Sequence, residues 1–449
     1  MGAYGLKKVS AYLKHYGVVK LFRKAVERKC NKTDYNSERI SELATKEELL
    51  WQQEQHFEYE PVISLVMPAC NTPKKSLIQT LTSVKDQSYS KWELCIADGG
   101  NIPVKDIVFE VFGNDTRVKY KKLDKNMGIS GNSNAGIAMA EGDFIALLDH
   151  DDILEPNVLY EVVVKINDGA EMVYTDEDKV NEELTDYFRP FRKPDYNKDL
   201  FLSNNYICHF CAIKKSIIDK IGGFKSEYDG AQDYDLFLRC SEETDKIFHV
   251  AKILYHWRIS TSSTSDNPFN KEYAFGAGKK ALEDYLIRNG LGDKTVVQSM
   301  EDPGYFRIVY TGELDKQSEY EFIQGNTVLT ETQKEALIKR AVISGSDIVA
   351  PKILYHKRYF YNGIAKRGNE FTQCLKGKPH WYRGGFNMGI TNMDINKAPA
   401  FGILVKRELA SKIKAVSGSY ISNLDGEFAR IKMVYAPEVV ITLKGKINE

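Results

Sequence analysis

The chain has 449 residues, 43% hydrophobic and 11% aromatic, which is enough to bury a core in each of two or three domains. Lysine plus arginine equals aspartate plus glutamate at 62 each, so no global charge attracts nucleic acid, and we expect no nucleic-acid partner. The chain has seven cysteines, an odd number, and no secretory signal at its start, so we expect reduced thiols and a cytoplasmic protein. No apolar run approaches the roughly 18 residues that a membrane span requires.

Residues 1–30 are the basic exception to this neutrality, because only Glu27 is acidic there. Apolar residues recur at spacings of three or four from Val9 to Val26, which favours an amphipathic helix. Such a helix either makes peripheral contact with anionic lipid at the inner face of the cell membrane or packs on the next domain with its basic face in solvent. Both interpretations stay open for residues 1–60, a basic helical segment followed by a charged connector.

Short β-branched runs alternate with amphipathic stretches after Pro61, a pattern typical of a parallel sheet covered by helices. The predicted strands are 62–67, 92–97, 117–123 and 143–148, and the predicted helices are 73–87, 103–112 and 132–140. The alternation predicts a doubly wound, Rossmann-like α/β domain with a mostly parallel sheet.

Three polar segments follow predicted strands: Pro68 to Asn71, Asp98 to Asn101 and Asp149 to Asp152. Each by itself is more typical of an ordinary turn. However, ligands of such sheets bind outside the carboxyl ends of the strands, where these segments converge. Carboxylates crowded after Leu148 repel one another unless a cation offsets them. Because Mg²⁺ and Mn²⁺ bind carboxylates together with substrate phosphates, the pattern predicts a nucleoside-diphosphate ligand.

The order of these segments resembles glycosyltransferase family 2, which has the GT-A fold. The resemblance is carried by VISLVMPACNTP, WELCIADGG and NMGISGNSNAGIAMAEGDFIALLDHDD, and continues through EMVYTDEDKV, FRKPDYNKDLFLSNNYICHF, AQDYDLFLR and ILYHWR. The pattern is most similar to bacterial enzymes that build surface polysaccharides, including rhamnosyltransferases. It extends from residue 62 to about 290, which gives a catalytic domain over residues 61–292.

The resemblance implies a nucleotide-sugar site on the donor side. Asp98 would hydrogen-bond the base, and Asp149 would contact ribose or metal. Asp151, the second acid of the DxD motif, would be the direct metal ligand. The base and ribose pocket would be shaped by Pro68, Ala69 and Asn71. Relatives carry another acidic residue where this chain has Gly99.

The resemblance places a general base at Asp233, which takes the proton of the acceptor hydroxyl. Gln232 stands where the family usually has glutamate and would lie on the acceptor side. A helix that begins near Ala231 would favour the ionised carboxylate and lower its basicity.

Further site residues are implied less directly. His256 matches a position that reaches the diphosphate or completes the metal shell, although an isolated histidine after a strand is more often structural. Arg258 would neutralise phosphate. Asp176 would line the acceptor side, although an acidic surface loop is almost as well supported.

Two other motifs are discounted. Cys208 and Cys211 have zinc-ligand spacing, but an offset of three along a predicted strand points the thiols to opposite faces, and no second pair lies at ligand spacing. The glycines from Gly128 to Gly136 lack the dinucleotide spacing and follow the third strand, so NAD binding is not expected.

Residues 300–449 resemble an abbreviated, degenerate GT-A-like copy of the first domain. Phe322 to Leu329 aligns with Leu147 to Leu154, so that neutral residues replace three aspartates. Ala400 to Ile413 resembles Cys211 to Ile221. Thr442-Leu443 takes the place of His256. We therefore expect an accessory domain that binds acceptor or partner without catalysing.

The sequence predicts a metal-dependent, inverting glycosyltransferase that moves a sugar from a nucleoside-diphosphate sugar to a glycan or lipid-linked acceptor. The cofactor would be Mn²⁺ or Mg²⁺. Two alternatives remain: a non-catalytic carbohydrate-binding or scaffold protein with a vestigial site, and a sugar nucleotidyltransferase. The latter should carry a glycine-rich, basic phosphate loop after the first strand, which Pro68 to Asn71 is not.

Overall fold

A computed structural model describes most of the chain from residue 35 onward. The described ranges are 35–259, 272–314, 317–325, 327–355, 358–361, 365–367, 370–372, 391–416, 420–422 and 431–443, with the single residues 13, 18, 378 and 428. Apart from positions 13 and 18, the basic segment 1–30 lies outside them, so its amphipathic helix stays a prediction. Within the described ranges, no helix has the length and apolar character needed to cross a bilayer.

The first half of the chain alternates strands and helices. Its strands are β1 Ile63–Ala69, β2 Trp92–Asp98, β3 Val118–Lys122, β4 Phe144–Leu147, β5 Ile153–Leu154, β6 Met172–Asn181, β7 Tyr187–Phe191, β8 Cys211–Lys214 and β9 Ile247–Ile259. Its helices are α1 Tyr35–Glu42, α2 Lys46–Glu54, α3 Lys74–Lys85, α4 Lys105–Phe112, α5 Gly128–Ile137, α6 Val158–Asn167, α7 Lys198–Phe201, α8 Lys215–Ile221, α9 Gln232–Glu243 and α10 Glu272–Arg288.

Most predicted elements lie within a few residues of the observed ones, and α5 shows the largest difference. It begins at Gly128, four residues before the predicted start. Its first turns are rich in glycine, serine and asparagine, which have low helix propensity and hide the start in the sequence. The side chain of Asn132 accepts a hydrogen bond from the Met127 amide at 3.0 Å, which closes the preceding loop.

The nine strands of the first half form one sheet in the order β3-β2-β1-β4-β8-β6-β9-β5, with β7 paired to β6. In this order, β3, β2, β1 and β4 are parallel to their neighbours. β8 is antiparallel to both β4 and β6, and β6 is parallel to β9. Every residue of β1 and β2 is buried because helices cover both faces of the sheet. The predicted α/β fold class is confirmed.

The second half has a smaller sheet. Its elements are β10 Thr295–Ser299, β11 Phe306–Tyr310, β12 Tyr320–Ile323, α11 Glu331–Ser344, β13 Ile348–Tyr355, β14 Arg358–Tyr361, β15 Ala365–Arg367, β16 Glu370–Thr372, β17 Met393–Ile395, β18 Lys397–Pro399, β19 Ile403–Lys406, α12 Arg407–Lys414, β20 Tyr420–Ser422 and β21 Met433–Thr442. Six of these strands pair in the order β12-β19-β13-β21-β17, with β14 on β13.

Strand pairing in the smaller sheet repeats part of the larger one. β12, β19, β13 and β21 pair in the same order and directions as β4, β8, β6 and β9. In the smaller sheet Leu354 pairs with Thr442, and at the equivalent position of the larger sheet Asp178 pairs with His256. Both pairs follow a shift in strand register. The matched strands thus have the same topology but carry different side chains.

The register corrects the sequence alignment by one residue within the strand. Ile323 faces Ile403 as Leu147 faces Cys211, so Ile323, rather than Phe322, takes the place of Leu147. The following turns do align as expected, because the amide of Thr327 donates to the carbonyl of Gln324 as Asp152 donates to Asp149. Asn326 lies outside the described residues, and the domain boundaries 61–292 and 300–449 stay predictions.

Candidate active site

The carboxyl edge of the large sheet gathers the polar segments that the sequence singles out. Ala69 at the end of β1 pairs with Asp98 at the end of β2. Leu147 pairs with Cys211, the first residue of β8, so the chain before β8 lies beside the loop that follows β4. The loops after β1, β2 and β4 therefore meet at one edge, as the parallel strands require.

Asp98 is enclosed by protein donors. It has no exposed surface, and its carboxylate accepts hydrogen bonds from the Gly100 amide at 2.8 Å, the Val104 amide at 3.0 Å and the Tyr120 hydroxyl at 2.7 Å. A nucleotide base does not reach this carboxylate in the present conformation. We therefore revise the expected contact: Asp98 fixes the loop against which a base could lie.

The loops after β1 and β2 are packed closely. Asn71 is exposed, has φ of 53° and accepts a hydrogen bond from the Asn101 amide at 2.8 Å, whereas Pro68 and Ala69 are buried. A Cβ at Gly99 would lie 2.7 Å from the Asn132 amide nitrogen. A side chain at position 99 would therefore displace Asn132, which closes the loop before α5.

The acidic run after β4 divides into two kinds of carboxylate. The side chains of Asp149 and Asp151 are 44% and 40% exposed, whereas Asp152 is buried. Asp152 accepts hydrogen bonds from the Tyr255 hydroxyl at 2.6 Å and the Arg258 amide at 2.8 Å. Asp152 thus anchors the loop, and Asp149 and Asp151 are the acids that a ligand can reach.

The electrostatics of this run favour a cation. Burial raises the pKa of the Asp151 carboxyl, the Asp149 charge raises it further, and His150 and Arg258 oppose the shift. No group of three or more His, Cys, Asp or Glu within the described ranges could by itself hold a metal ion. Two accessible carboxylates nevertheless fit Mg²⁺ or Mn²⁺, which take the remaining oxygens from phosphates and water. The donor set therefore fits a metal bound together with substrate.

Arg258 supports the acidic loop from behind. Its guanidinium donates to the Asp151 carbonyl at 2.6 Å, to the Gln79 side chain at 2.6 Å and to the Glu182 carbonyl at 3.0 Å. Only 2% of the residue is exposed, and its Nη2 is buried without a hydrogen-bond partner among the described residues. Because this nitrogen has no exposed surface, a phosphate oxygen does not reach it in the present conformation, and the expected phosphate contact of Arg258 stays a prediction.

His256 differs from the expected metal ligand. It is 1% exposed, and its Nδ1 lies 2.6 Å from Asp178 while its Nε2 lies 2.8 Å from Glu155. Burial lowers the pKa of His256, but the hydrogen bonds to both carboxylates outweigh burial and raise it. Because both ring nitrogens are already engaged, the expected metal role is revised to a structural one.

Asp233 begins a helix, as the sequence indicates. It is the second residue of α9, and its carboxylate accepts hydrogen bonds from the Asn205 side chain at 2.8 Å and the Tyr234 amide at 2.9 Å. Burial raises the pKa of Asp233, against the lowering influence of His209 and these two donors. The expected loss of basicity at the helix start is therefore wrong in sign, because burial dominates.

The remaining acceptor-side residues have local partners. Asp176 is fully buried and bonded to the Lys193 amide at 2.7 Å and to His249 Nε2 at 2.8 Å, so it does not line an open surface. Gln232 is half-buried and accepts a hydrogen bond from the Gly230 amide. Of these two residues, Gln232 keeps its place beside the candidate base, and the expectation for Asp176 is corrected.

His209 is a site residue that sequence reasoning missed. Its Nε2 lies 3.8 Å from an Asp149 oxygen, and the preceding Cys208 is joined through Asn205 to Asp233. We expected one strand to contain both cysteines, but β8 begins at Cys211, so Cys208 and His209 belong to the segment before it. The signal was the histidine inside a cysteine pair that we considered only for zinc.

The sequence of this chain is similar to a known protein family and to several known proteins. Residues 64–222 match the family described as "Glycosyl transferase family 2". The chain is 40% identical over 234 residues to an uncharacterized protein of Sinorhizobium fredii, covering 51% of this chain and 26% of that protein. It is 33% identical over 234 residues to the O-antigen biosynthesis protein RfbC of Myxococcus xanthus, covering 51% of this chain and 18% of RfbC.

A shorter relative is matched over most of its length. The Escherichia coli protein WfgD is named a UDP-Glc:alpha-D-GlcNAc-diphosphoundecaprenol beta-1,3-glucosyltransferase, and it is 26% identical over 217 residues. This match covers 47% of the present chain and 82% of WfgD. The chain spans about a quarter or less of the Sinorhizobium and Myxococcus relatives, so their matched parts are domains of longer proteins.

Proposed function

Because residues 64–222 belong to glycosyltransferase family 2, we propose that the chain transfers a sugar from a nucleoside-diphosphate sugar to a hydroxyl of an acceptor in cell-surface polysaccharide synthesis. The observation that carries this proposal is the proximity of accessible Asp149 and Asp151 to Asp233 at one edge of the sheet. Residues 205–209 connect them, because His209 Nε2 lies 3.8 Å from Asp149 and the Asn205 side chain donates to Asp233 at 2.8 Å. The names of RfbC and WfgD support a polysaccharide pathway, and that of WfgD supports a lipid-linked saccharide as the acceptor.

The reaction is a direct displacement with inversion at the anomeric carbon. The acceptor oxygen attacks that carbon, the bond to the diphosphate oxygen breaks, and the nucleoside diphosphate leaves with the bonding electrons. Asp233 accepts the proton of the acceptor hydroxyl as its oxygen becomes positively charged. Its raised pKa suits this role, since a carboxylate with higher proton affinity is a better general base.

The acidic loop serves the leaving group. Asp149 and Asp151 would hold a divalent cation, whose chemistry when bound is to stabilise the negative charge of the departing diphosphate. Tyr255 and Arg258 hold this loop through Asp152, so the two accessible acids are fixed before the substrate arrives. Such preorganised groups need little rearrangement during the reaction, which lowers its barrier.

The second half is proposed to select acceptor or partner. Gln324 and Thr327 take the turn positions of Asp149 and Asp152 and carry no charge that would hold a divalent ion. Cytoplasmic location and membrane contact through residues 1–30 also remain proposals, which lipid flotation with and without these residues tests.

The test of the function begins with a panel of nucleotide sugars and Mn²⁺, followed by substitution of the base. Asp233→Asn should lower transfer by about 10²- to 10⁴-fold, the usual contribution of a general base. Asp425→Asn changes an acid of the second half that lies outside the described residues; it is the control and should retain turnover. Failure of the wild-type protein to bind, hydrolyse or transfer any donor would favour a non-catalytic carbohydrate-binding protein instead. Loss of transfer in Asp425→Asn would indicate that catalysis takes place in the second half.

A further inference from the structure

His209 lies between the two halves of the candidate site. Its Nε2 is 3.8 Å from Asp149 on the diphosphate side. On the acceptor side, the amide of the preceding Cys208 donates to Asn205 Oδ1 at 3.5 Å, and the Asn205 side chain donates to Asp233 at 2.8 Å. Its side chain is 21% exposed, so part of the ring is open to a ligand. Under the proposed mechanism, the transferred sugar and its phosphate occupy the space between these two acids.

The backbone of His209 is held at both ends by a buried ion pair. The His209 amide donates to Glu177 Oε2 at 2.9 Å, and Lys193 Nζ donates to the His209 carbonyl at 2.5 Å. Lys193 also donates to the Ile207 carbonyl at 2.5 Å and lies 3.1 Å from Glu177 Oε2. Lys193 has no exposed surface, which is rare for lysine and is tolerated only when the charge is paired.

This hold maintains an unusual conformation. Cys208, between the two carbonyls that Lys193 binds, has φ of 41°, in a region that is unfavourable for a residue with a side chain. Such conformations persist where the surrounding structure enforces them and are concentrated at functional sites. The Lys193 and Glu177 contacts supply that enforcement.

The ring of His209 is oriented by aromatic neighbours. It stacks on Tyr255 with centroids 4.9 Å apart and planes at 16°, and it meets the edge of Trp257 at 6.2 Å. Nδ1 is buried without a hydrogen-bond partner among the described residues. In the neutral ring one nitrogen donates and the other accepts, and the nearby Asp149 carboxylate favours the proton on Nε2. The N–H then faces a carboxylate that is too distant for a direct hydrogen bond.

We propose that His209 is a donor-binding residue whose Nε2–H donates a hydrogen bond to an oxygen of the sugar diphosphate between Asp149 and Asp233. This inference rests on the proposed function. Lys193 and Glu177 are positioning residues that act through His209. The oxygen belongs either to the transferred sugar or to the phosphate beside it, and the experiment separates these two sources.

The experiment compares His209→Phe, His209→Gln and wild type in steady-state transfer, after a donor has been found. Phenylalanine retains a flat ring for stacking on Tyr255 and removes the donor, so kcat/KM should fall at least tenfold. Glutamine restores a donor and should recover part of the loss. His249→Gln is the matched control, because His249 also stacks on a tyrosine, Tyr174, at 4.9 Å but is engaged by Asp176 and Asp195.

Binding of UDP with Mn²⁺ locates the oxygen. If UDP binds His209→Phe as tightly as wild type while transfer falls, the contact is with the sugar; if UDP binding also falls, the contact is with phosphate. Unchanged kcat/KM in His209→Phe, or an equal loss in His249→Gln, would overturn the proposal. An inactive wild-type protein would instead refute the proposed function.

A second measurement detects the contact in the wild-type protein. In wild-type protein with ¹⁵N-labelled histidine, UDP-glucose with diamagnetic Mg²⁺ should shift the Nε2 resonance of His209, and its absence from the spectrum of His209→Gln assigns that resonance. No shift at a saturating donor concentration would overturn the contact. Glu177→Gln should lower kcat/KM in the wild-type background and have little further effect in His209→Phe, since both changes remove the same interaction.

Discussion

The carboxylates of the candidate site differ in their exposure and in their hydrogen-bond partners. Asp149 and Asp151 keep about two fifths of their side chains exposed, whereas Asp233 and Asp152 are held by protein donors. The exposed pair suits a cation shared with phosphates, and the enclosed Asp233 suits proton transfer. Residue type alone does not assign these roles, because all four are aspartates.

The raised pKa of Asp233 predicts the acid limit of activity. Since the ionised carboxylate is the base, kcat/KM should fall as pH drops through the pKa of Asp233, and this limb should lie above the ordinary aspartate value of about 3.9. Asn205→Ala removes a hydrogen bond to the charged form and should move the limb to higher pH. Profiles of kcat/KM from pH 4 to 8 measure both. A limb that does not move in Asn205→Ala would argue against Asp233 as the titrating base.

His256 gives a second prediction at the residue scale. If it is structural, His256→Gln should lower the free energy of unfolding by roughly 1.5–3 kcal/mol, since Asp178 and Glu155 each lose a charged hydrogen bond but keep one from Tyr35 or Arg39. The Mn²⁺ concentration for half-maximal activity should change by less than about twofold. Denaturant unfolding and a Mn²⁺ titration measure the two effects. A tenfold weaker Mn²⁺ dependence with unchanged stability would restore the metal role.

At the scale of elements, α1 is joined to the large sheet by polar contacts. Arg39 donates to Glu155 at 2.6 Å and lies 3.5 Å from the ring centre of Tyr187, and Tyr35 donates to Asp178 at 2.5 Å. Glu155 and Asp178 are the two partners of His256, so α1 completes a network that begins at β9. These hydrogen bonds therefore connect residues that are more than 100 positions apart in the sequence.

This docking predicts a local effect of substitution. Arg39→Met should weaken the attachment of α1 by roughly 1.5–3 kcal/mol, the usual contribution of a hydrogen bond between charged groups. Limited proteolysis should then cleave faster near residues 30–45, while kcat changes little. Lys46→Met, an exposed change at the start of α2, is the control. Equal cleavage rates in Arg39→Met and wild type would show that other contacts hold α1.

At the scale of the whole molecule, α7 of the first half meets β17 of the second. Asn197 and Asp394 exchange two hydrogen bonds through the Asp394 backbone, and the Asp199 amide donates to the Asp394 carboxylate at 3.2 Å. One carboxylate oxygen each of Asp199 and Asp394 is buried without a hydrogen-bond partner among the described residues. Two acidic side chains thus face each other where the halves join.

The acidic pair predicts a pH dependence of stability. Burial, with the Asp199 charge second, raises the pKa of Asp394 to about 7, whereas the unfolded value is near 3.9. Between these values the folded state binds more protons, so its stability should fall as pH rises from about 4 to 7. Asp394→Asn, which mimics the neutral acid, should flatten this part of the Tm profile, and exposed Asp219→Asn should not. An unchanged profile in Asp394→Asn would refute the assignment.

The sequence by itself determined the α/β class, because alternating strands and helices with polar strand ends are local patterns. It also placed Asp149, Asp151 and Asp233 at the ends of elements, where loops meet. Only the tertiary structure decided which polar groups remain accessible: burial engaged Asp98, Asp176 and His256 with protein partners, reversed the expected pKa shift of Asp233 and brought His209 beside the acids. These outcomes depend on contacts between residues distant along the chain, which local patterns do not encode.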